Sequence, residues 1–263
     1  MDIFANLALG FGVAFSPINL GLCLVGALVG TLVGVLPGIG TIATVAMLHA
    51  LRHEGLRAVG MKPVASGCQP TPQGWRNDDA LMLQAASEPR ADYDLVNPYA
   101  LPDATAPQIA AERAGMRIEL APLVSAFAGL AEQADIVLVE GVGGWLAPLT
   151  DELDQADLAR ALGIDEVVLV VGLRLGCINH ARLSERAIQA EGFRLRGWIG
   201  NSPDDRLEHA DAYFNKLEAA MDSPCLARLD FVQHATPEAM GAALHIAFRP
   251  RDFRQGLDPA RDG

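Results

Sequence analysis

The chain has 263 residues, enough for one large α/β domain or two small ones and for a full buried core. A formal charge of −12 with no basic run excludes a nucleic-acid binder held by bulk electrostatics. Cys23, Cys68, Cys177 and Cys225 form no C-x-x-C pair and the six histidines have no metal-ligand spacing, so neither a disulfide framework nor a zinc site is indicated and a reduced, cytoplasmic protein fits.

From Ile3 to Leu51 there is no Asp, Glu, Lys or Arg. An apolar run longer than about 18 residues is a transmembrane candidate, so membrane contact through residues 1–50 is the alternative to a cytoplasmic location. The missing basic n-region argues against a secretory signal peptide. Gly26, Gly30 and Gly34, four residues apart, would let helices approach closely in lipid. The string from Gly26 to Gly40, with its Gly-Val-Leu-Pro-Gly-Ile-Gly end, resembles the amino-terminal segment of the large membrane subunit of tripartite tricarboxylate transporters. That resemblance sets residues 1–43 apart as a hydrophobic segment. No further spans follow, which excludes a working transporter.

Ile42, Val45, Ala46, Leu48 and Leu51 then have helical spacing, and the helix closes at Arg52 to Gly55 with basic residues and a glycine. Arg57 to Met61 reads as a short buried strand, and Lys62 stands at its end before Pro63 and a loop of small residues. Ligands of open α/β sheets bind at the carboxyl ends of strands. Lys62 and Lys216 are the only lysines among 20 basic residues, so a lone lysine at a strand end suggests a compact ammonium meeting an anion; the alternative is a surface lysine on a turn. The stretch Cys68 to Asn77 reads as a loop that delivers Asp78 and Asp79 to a helix over Ala80 to Ser87, where an aspartate is commonly a mere N-cap. Asn97-Pro98-Tyr99 opens a proline-rich connection, and helices are predicted over Ala106 to Ala114 and Leu120 to Ala134.

Ile136 to Val139 is aliphatic throughout, as suits a strand buried on both faces. It ends in Glu140 followed by Gly141, Val142, Gly143 and Gly144: a carboxylate beside backbone N–H groups open to an anion, the arrangement of a magnesium-binding acid next to a nucleotide. Strands follow at Val167 to Val171, at Leu195 to Ile199 with Asn201 beyond, and at Leu226 to Phe231. They alternate with helices over Ile178 to Glu191, Asp204 to Met221 and Pro237 to Ala247. The alternation predicts an α/β fold over residues 44–247, a mainly parallel sheet with helices on both faces, and a disordered tail over 248–263.

Taken together, Gly60 to Gly67, Arg76-Asn77-Asp78-Asp79-Ala80, Asn97-Pro98-Tyr99, Val139 to Trp145 and Val170 to His180 resemble ATP-dependent dethiobiotin synthetase, continuously from about Thr41 to about Val232. The resemblance implies a P-loop NTPase-like fold and a cytoplasmic homodimer. It implies closure of the ureido ring of dethiobiotin from 7,8-diaminononanoate and carbon dioxide, with ATP and Mg2+. Carried over by position, it implies a catalytic Lys62 between carbamate and γ-phosphate and a substrate-contacting Ser66. Asp79 and Glu140 become magnesium carboxylates, Glu140, Gly141, Val142 and Gly143 an ATP-contacting turn, and Asn201 an adenine-side residue. Leu229 to Val232 corresponds to the base loop, although Asp230-Phe231 departs from the family's Pro-aromatic pattern. Ser66 and Asn97-Pro98-Tyr99 fit substrate recognition better than a nucleotide-driven switch of the partition-ATPase kind.

One departure matters. The family opens with a strand and a glycine-rich loop ending Gly-Lys-Thr, whose lysine and backbone N–H groups hold phosphates. In register, Thr41 falls on the magnesium-binding threonine, Gly40 on the lysine and Ile39 on the preceding glycine. Gly38 and Gly40 remain as backbone donors to a phosphate, and the expectation is weak ATP binding with little turnover.

Overall fold

A computed structural model describes residues 39–203 and 207–231. Gly38, most of the segment 1–43, Val232, the helix predicted over Pro237 to Ala247 and the tail 248–263 lie outside these residues. The described elements, in order, are α1 (Ile39–His53), β1 (Ala58–Met61), β2 (Val64–Ser66), β3 (Gln69–Thr71), β4 (Gly74–Arg76), α2 (Asp78–Ala86), α3 (Tyr93–Val96), β5 (Tyr99–Leu101) and α4 (Pro107–Arg113). There follow α5 (Leu120–Ala131), β6 (Ile136–Val139), α6 (Gln155–Ala161), β7 (Glu166–Gly172), α7 (Cys177–Ala190), β8 (Arg194–Asn201), α8 (Ala210–Ala220) and β9 (Cys225–Leu229).

The predicted alternation of strands and helices is present and every main strand pairing is parallel. β1 pairs with β6 from Ala58 opposite Ile136 to Met61 opposite Val139, β2 pairs with β5, and β7, β8 and β9 form one sheet in that order. Four readings need correction. Cys68 to Asn77 is not simply a loop: β3 and β4 form an antiparallel hairpin there. The small residues after Pro63 form β2, and Gln155–Ala161 is a helix that the aliphatic pattern did not mark. Helix α1 begins at Ile39, so Gly40 and Thr41 belong to its first turn.

Residues 39–50 were part of the apolar stretch offered as a membrane contact. Much of that part is core here: Ala43, Val45, Ala46 and Leu48 are buried in one cluster with Val59 and Met61 of β1, Leu83 of α2 and Ile199 of β8. Each large aliphatic side chain so buried contributes on the order of 1.5–3 kcal/mol. No described helix is long and apolar enough to cross a membrane. Gly60 lets α1 and α2 close on β1, since a β-carbon there would stand 2.9 Å from Leu83 Cβ and 3.1 Å from Leu48 Cδ1. Gly60→Ala is therefore expected to destabilise by about 1–3 kcal/mol through overpacking, read as a lower urea midpoint at unchanged slope.

Among the described strands the pairing is interrupted between β6 and β7. β1 is buried along its whole length, yet β6 and nearly all of β7, the most aliphatic strands, are only half-buried. Among the described residues β6 pairs only with β1 and β7 only with β8. A cavity of about 840 Å³ runs between them, lined by Val137 to Val139 on one side and Val167 to Val171 on the other.

Candidate active site

The in-register pairing of β1 with β6 brings the residues after both strands out side by side. The Glu140 N–H donates to the Met61 carbonyl at 2.8 Å, which fixes that pair of strand ends. Lys62 Nζ then lies 2.6 Å from Glu140 Oε1, 3.3 Å from the Gly141 carbonyl and 3.6 Å from Asp79 Oδ2. The Lys62 and Glu140 side chains are only 7% and 8% exposed. A pair this dry is retained against a desolvation cost of several kcal/mol per ion, so its position matters more than any net gain in stability.

Thr41, wholly buried in the first turn of α1, donates its hydroxyl to Glu140 Oε1 at 2.7 Å. A β-carbon on Gly40 would sit 3.4 Å from the same oxygen. Asp79 belongs to the first turn of α2 and is not its cap: Asn77 Oδ1 accepts from the Ala80 N–H at 3.1 Å. With the helix start satisfied by Asn77, the Asp79 carboxylate is left to face Lys62.

Glu140 Oε2 is buried and has no hydrogen-bond partner among the described residues. A buried carboxylate oxygen left open, beside a threonine hydroxyl and a second carboxylate, is a set of hard oxygen donors of the kind magnesium takes. Thr41, Asp79 and Glu140 therefore fit Mg2+. Among the described residues no three His, Cys, Asp or Glu side chains gather as a metal cluster, so the hydroxyl is a necessary part of this set.

After Glu140 the chain turns through Gly143 (φ 79°) and Gly144 (φ 119°). A side chain would not fit this turn: a β-carbon on Gly143 would meet Ala147 Cβ at 2.9 Å, and one on Gly141 would meet Gln155 Oε1 at 3.0 Å. Gly40, Lys62, Asp79, Glu140, Gly141, Val142 and Gly143 all line the 840 Å³ cavity, whereas Thr41 does not. Ser66 and Asn201 are not among its lining residues. Ser66 ends β2, its carbonyl accepting from Asn77 Nδ2 at 3.4 Å, and Asn201 is buried at the end of β8, opposite Gly172 and Leu229.

Asn97 and Tyr99, which fit substrate recognition in the sequence, point inward. Asn97 Nδ2 donates to the Lys62 and Tyr99 carbonyls, and the Tyr99 hydroxyl accepts from the Glu119 N–H at 3.1 Å. Cys68 is also out of play as a nucleophile, because burial pushes its thiol up to about 11. Gln155, buried with Nε2 unpartnered among the described residues, lines the cavity and was missed. The signal for its helix was present: Asp154 and Asp157 form a reciprocal capping box around the helix start.

The chain matches the AAA domain family over residues 31–239. It is 56% identical over 210 residues to the ATP-dependent dethiobiotin synthetase BioD of Xanthomonas campestris pv. campestris (strain ATCC 33913), an alignment covering 80% of this chain and 92% of that protein. The protein of the same name from Xanthomonas euvesicatoria pv. vesicatoria (strain 85-10) is 54% identical over 80% of this chain and 93% of its own length. That of Xylella fastidiosa (strain 9a5c) is 53% identical over 79% and 92%. Identity at this level across nearly the whole of each relative, on a parallel α/β fold, means that the chain belongs to the dethiobiotin synthetase family.

Proposed function

We propose that the chain closes the ureido ring of dethiobiotin from 7,8-diaminononanoate, carbon dioxide and ATP, and that Lys62, Ser66, Asp79, Glu140 to Gly143 and Asn201 form its site. The observation that carries this reading is the convergence of Lys62, Asp79, Glu140 and Thr41 at the ends of β1 and β6. One amine of the substrate adds to carbon dioxide and loses a proton to give a carbamate. A carbamate oxygen then takes the γ-phosphoryl group, and attack of the second amine on the activated carbonyl expels phosphate and closes the ring. ATP supplies the phosphoryl group, and Mg2+ neutralises charge on its oxygens when bound.

The chain's own groups hold that charge in place. The Lys62 ammonium, fixed by Glu140 and Asp79, faces the oxygens that carry negative charge as phosphate is transferred. Thr41, Asp79 and Glu140 would hold the metal. The glycine turn Glu140 to Gly143 supplies backbone donors with no side chain in the way. The reading includes a homodimer acting in the cytoplasm and a weakened grip on ATP, since Gly40 stands where the family's loop has a lysine. Incubation of the full chain with the diamine, bicarbonate, ATP and Mg2+ tests it. Dethiobiotin and ADP should appear in equal amounts, slowly; ADP release that is indifferent to the diamine would overturn the reading.

A further inference from the structure

Beneath Lys62 lies a run of buried hydrogen bonds that no cavity explains. Asn97, 3% exposed, uses both amide hydrogens on main-chain carbonyls, that of Lys62 at 2.7 Å and that of Tyr99 at 3.2 Å. Two carbonyls on one side fix which end of the amide is nitrogen. Its oxygen accepts from the Tyr93 hydroxyl at 3.0 Å. That hydroxyl in turn accepts from the Asn77 N–H at 2.8 Å. Asn77 caps α2 through Oδ1 and reaches the Ser66 carbonyl through Nδ2 at 3.4 Å. Tyr93 is 8% exposed, its ring covered by the Arg76 guanidinium 4.1 Å from the centroid.

The run therefore has two ends. One holds the backbone of Lys62, whose N–H also donates to the Val96 carbonyl at 2.8 Å, next to Asn97. The other holds the first turn of α2, which carries Asp79. We propose that Tyr93 and Asn97 are positioning residues that set the separation of Lys62 from Asp79 and Glu140, acting on the reaction through Lys62 without touching substrate. Displacing a charged group by about 1 Å can cost a hundredfold in rate, so two short rigid links at its base have a clear use. Burial raises the pKa of the Tyr93 hydroxyl, which keeps it the neutral donor that the link needs.

The role rests on the reading of Lys62 as the phosphate-facing cation, but its test needs neither ligand nor turnover. With only two lysines in the chain, 13C- and 15N-labelled lysine gives one side-chain signal from buried Lys62 and one from exposed Lys216, assigned with Lys62→Met. Tyr93→Phe removes the hydroxyl and keeps the ring; Asn97→Asp keeps the shape and removes the donor to Lys62. Both should move the Lys62 ε signal toward that of Lys216 and speed exchange of its ammonium protons about tenfold, the loss of roughly one hydrogen bond's restraint. Tyr99→Phe, which removes a buried hydroxyl that accepts from the Glu119 N–H, should leave the Lys62 signal in place. An unmoved Lys62 signal in folded Tyr93→Phe and Asn97→Asp overturns the proposal, and so does an equal shift in Tyr99→Phe. A chain that shows the expected shifts but makes no dethiobiotin keeps the positioning links and loses only the functional reading.

Discussion

Lys62→Met is expected to lower stability by about 3–5 kcal/mol and to abolish turnover. The ammonium lies 2.6 Å from Glu140 and 3.6 Å from Asp79, and the Lys62 and Glu140 side chains are almost wholly buried. Methionine keeps much of the volume, so the loss reports charge and not a cavity. Denaturant unfolding at pH 7 measures it. Mg2+ gives a second reading: with Glu140 and Asp79 uncompensated, the ion should restore more stability to the variant than it adds to the parent, by mass action on the folded state. A variant as stable as the parent and indifferent to Mg2+ would mean that the three charges do not act on one another.

Gly40→Lys is expected to act in the opposite direction, raising turnover roughly 10²–10³-fold, the worth of about 2.7–4 kcal/mol from one preorganised donor to developing charge. The backbone is ready for it. Gly40 is helical, its new β-carbon would be in ordinary contact 3.4 Å from Glu140 Oε1, and it lines the cavity that holds Lys62. Replacing glycine inside a helix also gains about 0.5–1 kcal/mol of helix propensity, against a smaller penalty for a cation in the first turn. ATP binding by calorimetry and steady-state ring closure are the measurements. If both stay at the parent's level, the residues before α1 do not bring a phosphate within a lysine's reach.

Lys62 and Glu140 were legible from local signals, an aliphatic run ending in a charge, although only β1 of the two strands is buried along its length. Their meeting was not, since 78 residues separate them and only the β1–β6 register brings them together. The hairpin at residues 69–76 was hidden by Pro70 and Gly74, which read as loop residues although an edge hairpin tolerates both. Asp79 looked like a cap because the true cap, Asn77, stands only two positions earlier. The inward turn of Asn97 had no signal at all: an asparagine before a proline reads as a surface turn, and its partners are Lys62 just past β1, Tyr93 of α3 and Tyr99 of β5.

Among the described residues β6 and β7 are each paired on one side only. A continuous sheet hides its most aliphatic strands in the middle, where no other polypeptide can reach their hydrogen-bonding edges. Here, among the described residues, two such strands present half-covered edges to one another across an open cavity. Edges of this kind are templates on which foreign strands can be laid down, and natural sheets usually blunt them with charge or proline. Val137 to Val139 and Val167 to Val171 contain neither. The nearest charges stand at the ends of the two runs, Glu140 and Glu166.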